Sequence, residues 1–181
     1  MTNINTKEYW DKRWSEEPML SRKVENAVCK LVTEKCSVLD IGCGSGRILR
    51  SLKKDLDCSV YGIDISSVAI NQLRSRGIPG ACFNVEEPIV LVDFVFDVVI
   101  LCHTLEHIQD DQRLIRYVAE MTKKYLIVAV PNDCIGPDEE PEHIRKYTKE
   151  SLKELLYPHF DRVEDHSTGI HLILKAYVAN S

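Results

Sequence analysis

The stretch Val38 to Arg47, Val-Leu-Asp-Ile-Gly-Cys-Gly-Ser-Gly-Arg, limits what this chain can fold into more than any other. Its first four residues are apolar except for Asp40, the pattern of a buried parallel strand that ends in an acid. Gly42, Gly44 and Gly46 follow on alternate positions. A helical period comes next, with Ile48, Leu49, Leu52 and Leu56 on one face and Arg50, Lys53 and Lys54 on the other. Strand, glycine turn and helix together build a ligand site at the carboxyl end of a strand in an open α/β sheet. The turn must be sharp and must let a ligand touch backbone, where any Cβ would stand in the way. A dinucleotide site would place its third glycine one residue later, and no Lys-Ser or Lys-Thr follows as a P-loop requires.

The rest of the chain alternates strands with helices. Strands are expected at Ser37–Ile41, Ser59–Ile65, Ala81–Val85, Phe96–Cys102 and Tyr125–Val130. Helices are expected over Ser21–Glu34 with Ser21 as N-cap, over Arg47–Asp55, and from Ser66 or Ser67 to Arg76. A further helix opens at Asp110 or Asp111, and another over Thr148–Leu156 with a Thr-x-x-Ser start. Residues 132–147 read as a loop. Two last strands, Phe160–His166 and Ile170–Val178, flank a Ser-Thr-Gly hairpin turn. Such alternation implies parallel strands with right-handed crossovers and helices on both faces, plus one antiparallel strand from the hairpin. Ahead of all this, Glu-Tyr-Trp-Asp-Lys-Arg-Trp places Tyr9, Trp10 and Trp14 on a short amphipathic helix that Pro18 ends.

With 181 residues the chain suits one sizeable core. A net charge of −5 argues against a nucleic-acid partner. The longest apolar run, Ile89 to Cys102, is interrupted by Asp93 and Asp97, so no membrane span is expected. The polar opening residues do not read as a signal peptide. The seven cysteines, Cys29, Cys36, Cys43, Cys58, Cys82, Cys102 and Cys134, form no C-x-x-C. They read as reduced core thiols in a cytoplasmic protein.

Asp40-x-Gly42-x-Gly44-x-Gly46 resembles the first motif of class I S-adenosylmethionine (SAM)-dependent methyltransferases. Later stretches resemble the same family in order, from about Val24 to Val178: Asp64 after the second strand, Asn84-Val85-Glu86, Phe96-Asp97-Val98-Val99 with Leu105-Glu106-His107-Ile108, and His143-Ile144-Arg145-Lys146-Tyr147-Thr148. The resemblance implies a Rossmann-like, seven-stranded, mostly parallel sheet with an antiparallel strand from the C-terminal hairpin. It implies SAM as cofactor and a methyltransferase domain over 21–181. Residues 1–20 would form an N-terminal aromatic lid.

It also implies site roles. Asp40 would face the amino-acid end of SAM through water, with Gly42, Cys43, Gly44 and Gly46 forming the turn beside it. Asp64 would accept from both ribose hydroxyls, a geometry that a carboxylate and a diol share. Ile65 would pack on adenine. Asn84 stands where relatives commonly carry an acid, and its carbonyl oxygen would accept from the adenine amino group while the Val85 amide donates. Cys102 and His103 would lie beside the methionine portion. His143 is the candidate base, and His107 could point at the acceptor. Tyr9, Trp10, Trp14, Arg145 and Tyr147 would line the lid and acceptor pocket. Glu106 and His107 lack the spacing of a zinc helix, and no metal is expected. His103 and His107, four apart, form only a conceivable metal pair.

The reaction implied is in-line transfer of the sulfonium methyl to an O or N nucleophile of a small-molecule acceptor. Alternatives are a protein or RNA acceptor, or a SAM-binding partner module without catalysis. A homodimer could complete the pocket of so short a chain.

Overall fold

The computed structural model describes residues 4–16, 22–87, 94–132, 135–169 and 171–179. Pro18, Ser21, Ile170, Cys134 and the residues 89–93 that begin the long apolar run lie outside them.

Seven strands among the described residues form one sheet in the order β3-β2-β1-β4-β5-β7-β6. They are β1 (Ser37–Ile41), β2 (Ser59–Asp64), β3 (Gly80–Cys82), β4 (Phe96–Cys102), β5 (Thr122–Pro131), β6 (Arg162–Asp165) and β7 (His171–Tyr177). The first five run parallel. β7 inserts between β5 and β6 and is antiparallel to both, as the hairpin implied. The order reverses between β1 and β4, and an α/β sheet opens a crevice at the carboxyl ends of its strands at such a point.

The helices are α1 (Lys7–Ser15), α2 (Arg22–Lys30), α3 (Arg47–Leu56), α4 (Ser67–Ser75), α5 (Asp111–Met121) and α6 (Lys149–Leu156). Their starts follow local chemistry. Ser66 Oγ accepts from the Ala69 amide at 3.2 Å, and Asp110 Oδ1 from the Arg113 amide at 3.0 Å. Thr148 and Ser151 cap reciprocally at α6.

Strand alternation sends side chains to two cores. Leu39, Ile41, Val99, Leu101, Leu126 and Val128 pack with α5 and α6 on one face. Val38, Val98, Ile100, Ile127 and Ala129 pack with α2, α3 and α4 on the other. Leu39, Leu49, Leu101 and Leu126 have no exposed surface, and truncating any such leucine to alanine typically costs about 2–5 kcal/mol.

Among the boundaries that differ from expectation, two have a local cause. β3 stops at Cys82 because Asn84 Oδ1 accepts from the Glu86 amide at 3.0 Å, turning the chain into a local loop. β5 begins at Thr122, directly after α5, where Thr122 Oγ1 donates to the Val118 carbonyl at 2.6 Å.

Candidate active site

A cavity of about 300 Å³ opens over the carboxyl ends of β1, β2 and β4. Its walls include Gly42, Asp64, Ile65, Phe83, Asn84 and Val85 from the first half of the sheet, and Cys102, His103, Thr104, His107, Pro131 and His143 from the second. Trp10, Arg13 and Trp14 of α1 form its roof.

Gly42, Gly44 and Gly46 all adopt positive φ, at +74°, +52° and +77°. The Gly42 and Cys43 amides both donate to the Ile63 carbonyl, at 2.7 and 3.0 Å, which folds the turn against β2. A Cβ on Gly42 would run into the Thr104 side chain. Gly44 faces the Trp14 ring instead of open space. Gly46 corrects the expectation that it touches ligand. It lies outside the cavity wall, starts α3, and leaves room for Leu73 of α4. Cys43 also turns away, its thiol packing beneath Gly62 of β2.

Asp40 is 2% exposed, and its Oδ1 has no hydrogen-bond partner. Burial, reinforced by Asp64 and Glu25, pushes its carboxyl well above the ordinary carboxylate range. It borders a side cavity of about 30 Å³ that shares Trp14, Gly42, Cys102 and His103 with the main one. That exceeds the roughly 10–15 Å³ a single water needs. An orphaned acid beside a water-sized gap suits an ammonium group reached through water.

Asp64 departs from a simple free acid. Its Oδ2 accepts from the Gly44 amide and its Oδ1 from the Ser66 amide, each at 2.8 Å. Burial raises its pKa while these two amides pull it down. Two further lone pairs remain on the carboxylate. Asn84 likewise already spends one lone pair of its carbonyl on Glu86.

The roof is held by polar contacts. Asp11 of α1 accepts from Ser66 Oγ at 2.7 Å and the Val68 amide at 3.2 Å, adding a second cap to α4. Burial raises the Asp11 pKa, but bonds from Lys7, Ser66 and Val68 outweigh it and hold the carboxyl low. Arg13 meets Glu142 at 3.5 Å. Trp10 stacks edge-on against His107, with ring centres 4.9 Å apart. Tyr9 packs edge-on against Trp10 and does not itself line the cavity.

Below the roof, Glu106 and His107 sit on a 3₁₀ turn, Leu105–His107, that follows β4. His143 comes from the loop after β5. The Ile144 amide donates to the Glu106 carbonyl at 2.9 Å and ties that loop to the turn. Nitrogen and oxygen atoms of Glu106, His107 and His143 all lie within 4.8 Å of one another. Burial holds His143 below the ordinary imidazole range, so its ring is neutral near pH 7. His103 turns elsewhere than toward a pair with His107. Its Nδ1 stands 3.2 Å from a Glu106 oxygen, and its backbone has φ +54°.

Arg145 and Tyr147 are a second correction: neither lines the cavity. Tyr147 is buried and its hydroxyl donates to Asp111 Oδ2 at 2.7 Å; Arg145 pairs with the same carboxylate and donates to the Ile108 and Gln109 carbonyls. They clamp the 132–148 loop onto the start of α5. Tyr147→Phe is therefore expected to cost about 1.5–3 kcal/mol, the range for a bond to a charged group, with SAM affinity unchanged. Urea unfolding and calorimetry check both parts. Lost SAM affinity at unchanged stability would return Tyr147 to the ligand.

Sequence reasoning missed Thr104, whose Oγ1 donates to the Ile41 carbonyl at 2.9 Å and fills the space under Gly42. It also missed Phe83, Arg13 and Glu142. A lone threonine in a loop carries no periodic signal, and only strand pairing brings it beneath the turn.

A glycine turn after β1, an acid after β2 and a cavity at the sheet's switch point define a Rossmann-like fold of the nucleoside-binding kind. Residues 39–128, about half of the chain, match the family described as "Methyltransferase domain". Over 105 residues the chain is 29% identical to the ubiquinone biosynthesis O-methyltransferase of Albidiferax ferrireducens, covering 54% of this chain and 40% of that one. It thus spans about two fifths of the length of the curated relatives it matches. The fold is similar to magnesium protoporphyrin IX methyltransferase (ChlM) of Synechocystis PCC 6803 with bound SAH (TM-score 0.75, 15% identity, 96% and 98% of the two chains). It is also similar to the [4+2]-cyclase SpnF (TM-score 0.70, 19% identity, 86% and 80% covered). A methyltransferase and a cyclase on one scaffold illustrate that fold alone does not name an acceptor. Among the described residues no helix is long and apolar enough to cross a membrane.

Proposed function

We propose that this chain transfers the SAM methyl group to an oxygen or nitrogen nucleophile of a small molecule, with residues 1–20 acting as a lid over the domain at 21–181. The single observation that carries this reading is that Gly42, Asp64, His107 and His143 line one cavity together with Trp10 and Trp14. When bound, SAM supplies a methyl group already activated on a sulfonium.

The residues divide the remaining work. Asp64 uses its free lone pairs on the ribose hydroxyls, and Ile65, Phe83 and Val85 supply apolar surface for adenine. Asn84 accepts from the adenine amino group with its second lone pair. Gly42 lets backbone approach the amino-acid end, near Asp40 and His103. His107 and His143 meet the acceptor, and the roof excludes water while the reacting atoms are aligned. The helix α1 buries no residue fully and is held by polar bonds, which supports its release as a unit. Trp14 covers Gly44, so α1 must shift for ligand to reach that backbone.

A volume of about 300 Å³ lies at the small end of ligand pockets and supports a small acceptor over a macromolecule. The net charge of −5 and the name of the ubiquinone-pathway relative point the same way. Six free cysteines among the described residues support a cytoplasmic setting. Titration calorimetry is expected to give one-to-one binding of SAM and of S-adenosylhomocysteine. Absence of heat with both, under conditions where the protein is folded, would remove the proposal.

A further inference from the structure

We propose that Glu106, His107 and His143 hold a divalent first-row transition-metal ion whose open position takes the acceptor's reacting oxygen. The second half rests on the methyl-transfer reading above; the ion site itself does not.

The first argument is an unbalanced burial. Glu106 is 1% exposed; one carboxylate oxygen meets His103 Nδ1 at 3.2 Å and the other has no hydrogen-bond partner. A buried carboxylate so thinly bonded is costly unless a cation stands beside it. His143 is 8% exposed, and its Nδ1 is also without a partner. The His103 contact leaves the second Glu106 oxygen and the His143 nitrogen bare. One cation between the three residues satisfies all of them.

The second argument is orientation. His107 Nδ1 lies 3.0 Å from the Glu142 carbonyl oxygen. A carbonyl only accepts, so Nδ1 carries the proton and Nε2 keeps a lone pair for a ligand bond. This is how outer hydrogen bonds set the tautomer of metal-binding histidines. Asn5 Nδ2 donates to the same carbonyl at 2.8 Å and holds it in place. His103 is then a positioning residue for the Glu106 carboxylate.

The third is geometry and donor type. Ligand atoms within 4.8 Å of one another need only small side-chain rotations to surround an ion with bonds of about 2.0–2.2 Å. Two imidazoles and one carboxylate suit zinc, cobalt or manganese better than magnesium or calcium, which prefer all-oxygen sets. Three protein ligands leave a position open, the mark of a catalytic rather than a structural site. His107 and His143 line the cavity while Glu106 lies behind them, so that position faces the acceptor. A hydroxyl bound there releases its proton to water more readily, and the oxygen is then the nucleophile.

The test uses the whole chain, stripped of metal and titrated with Co²⁺, read by visible d–d absorption. A band saturating at one equivalent and bleached by Zn²⁺ is expected. His107→Gln and His143→Gln should each weaken Co²⁺ binding by about tenfold or more, while His166→Gln, out on the β6–β7 hairpin, should leave it unchanged. Circular dichroism of each variant identifies one that has not folded, and the two histidine variants provide independent readings. A missing band, or equal weakening by His166→Gln, overturns the site. SAM calorimetry on the metal-free chain separates the two proposals. SAM binding without a cobalt band overturns the ion site alone; a cobalt band without SAM binding leaves the site and overturns the methyl-transfer reading.

Discussion

Gly42→Ala is expected to destabilise the protein by about 2–5 kcal/mol and to abolish most SAM binding. Two effects add. The residue holds φ at +74°, which side chains other than glycine adopt at a cost of roughly 1–2 kcal/mol. The new Cβ also lands on Thr104, which is buried and bonded to the Ile41 carbonyl. Overpacking of this kind costs about 1–3 kcal/mol. For a chain of this length each kcal/mol moves the melting temperature by about 2–4 °C. Thr104→Ala in the same background should recover the packing part but not the backbone part, giving a favourable coupling in a double-mutant cycle. A Gly42→Ala melting curve that overlays the parent's would mean the turn is not built as described.

Asp64→Ala should lower SAM affinity by about a hundredfold, some 2.7 kcal/mol, if the carboxylate carries the ribose diol. It should also lose stability. Its two oxygens hold the Gly44 and Ser66 amides, and Ser66 is fully buried. Leaving both amides unsatisfied costs about 2–6 kcal/mol, at about 1–3 kcal/mol for each buried donor. The acid therefore braces the glycine turn and the start of α4, besides the ribose role proposed for it. Asp64→Asn separates the roles. It keeps a carbonyl acceptor for one amide and so much of the stability, but loses the charge-assisted pair to the diol. Calorimetry well below the melting temperature of each variant reads the binding part cleanly. Unchanged SAM affinity in Asp64→Ala would confine Asp64 to the scaffold.

Much of the architecture was legible in one dimension. Nearly continuous apolar runs in β1 and β4 announced strands buried on both faces, and the spaced leucines of α3 announced an amphipathic helix. Ser66, Asp110 and Thr148 marked helix starts, because a cap bond spans only three residues and is written locally. The order of strand, glycine turn and helix was enough to place a cavity at the end of β1. Gly46 could not be sorted from Gly42 this way. Both need positive φ, but only the position of α4 shows that Gly46 makes room for Leu73 and Gly42 for Thr104.

Side chains distant in sequence were another matter. Arg145 and Tyr147 carry the same polar chemistry as any acceptor contact, and their link to Asp111 spans more than 30 residues. Glu106, His107 and His143 share no helix-type spacing, so their gathering depends on long-range bonds, from the Ile144 amide to Glu106, from Arg145 to Ile108 and between His107 and the Glu142 carbonyl.

What the sequence determined by itself was the class of fold, its parallel core and the glycine turn after β1, since these rest on periodicity and local backbone sterics. Which glycines border the cavity, which histidines converge, and how α1 roofs the site were decided only by tertiary structure. Those depend on contacts between segments far apart in the chain, whose pairing is set by the two packed cores and not by any local preference.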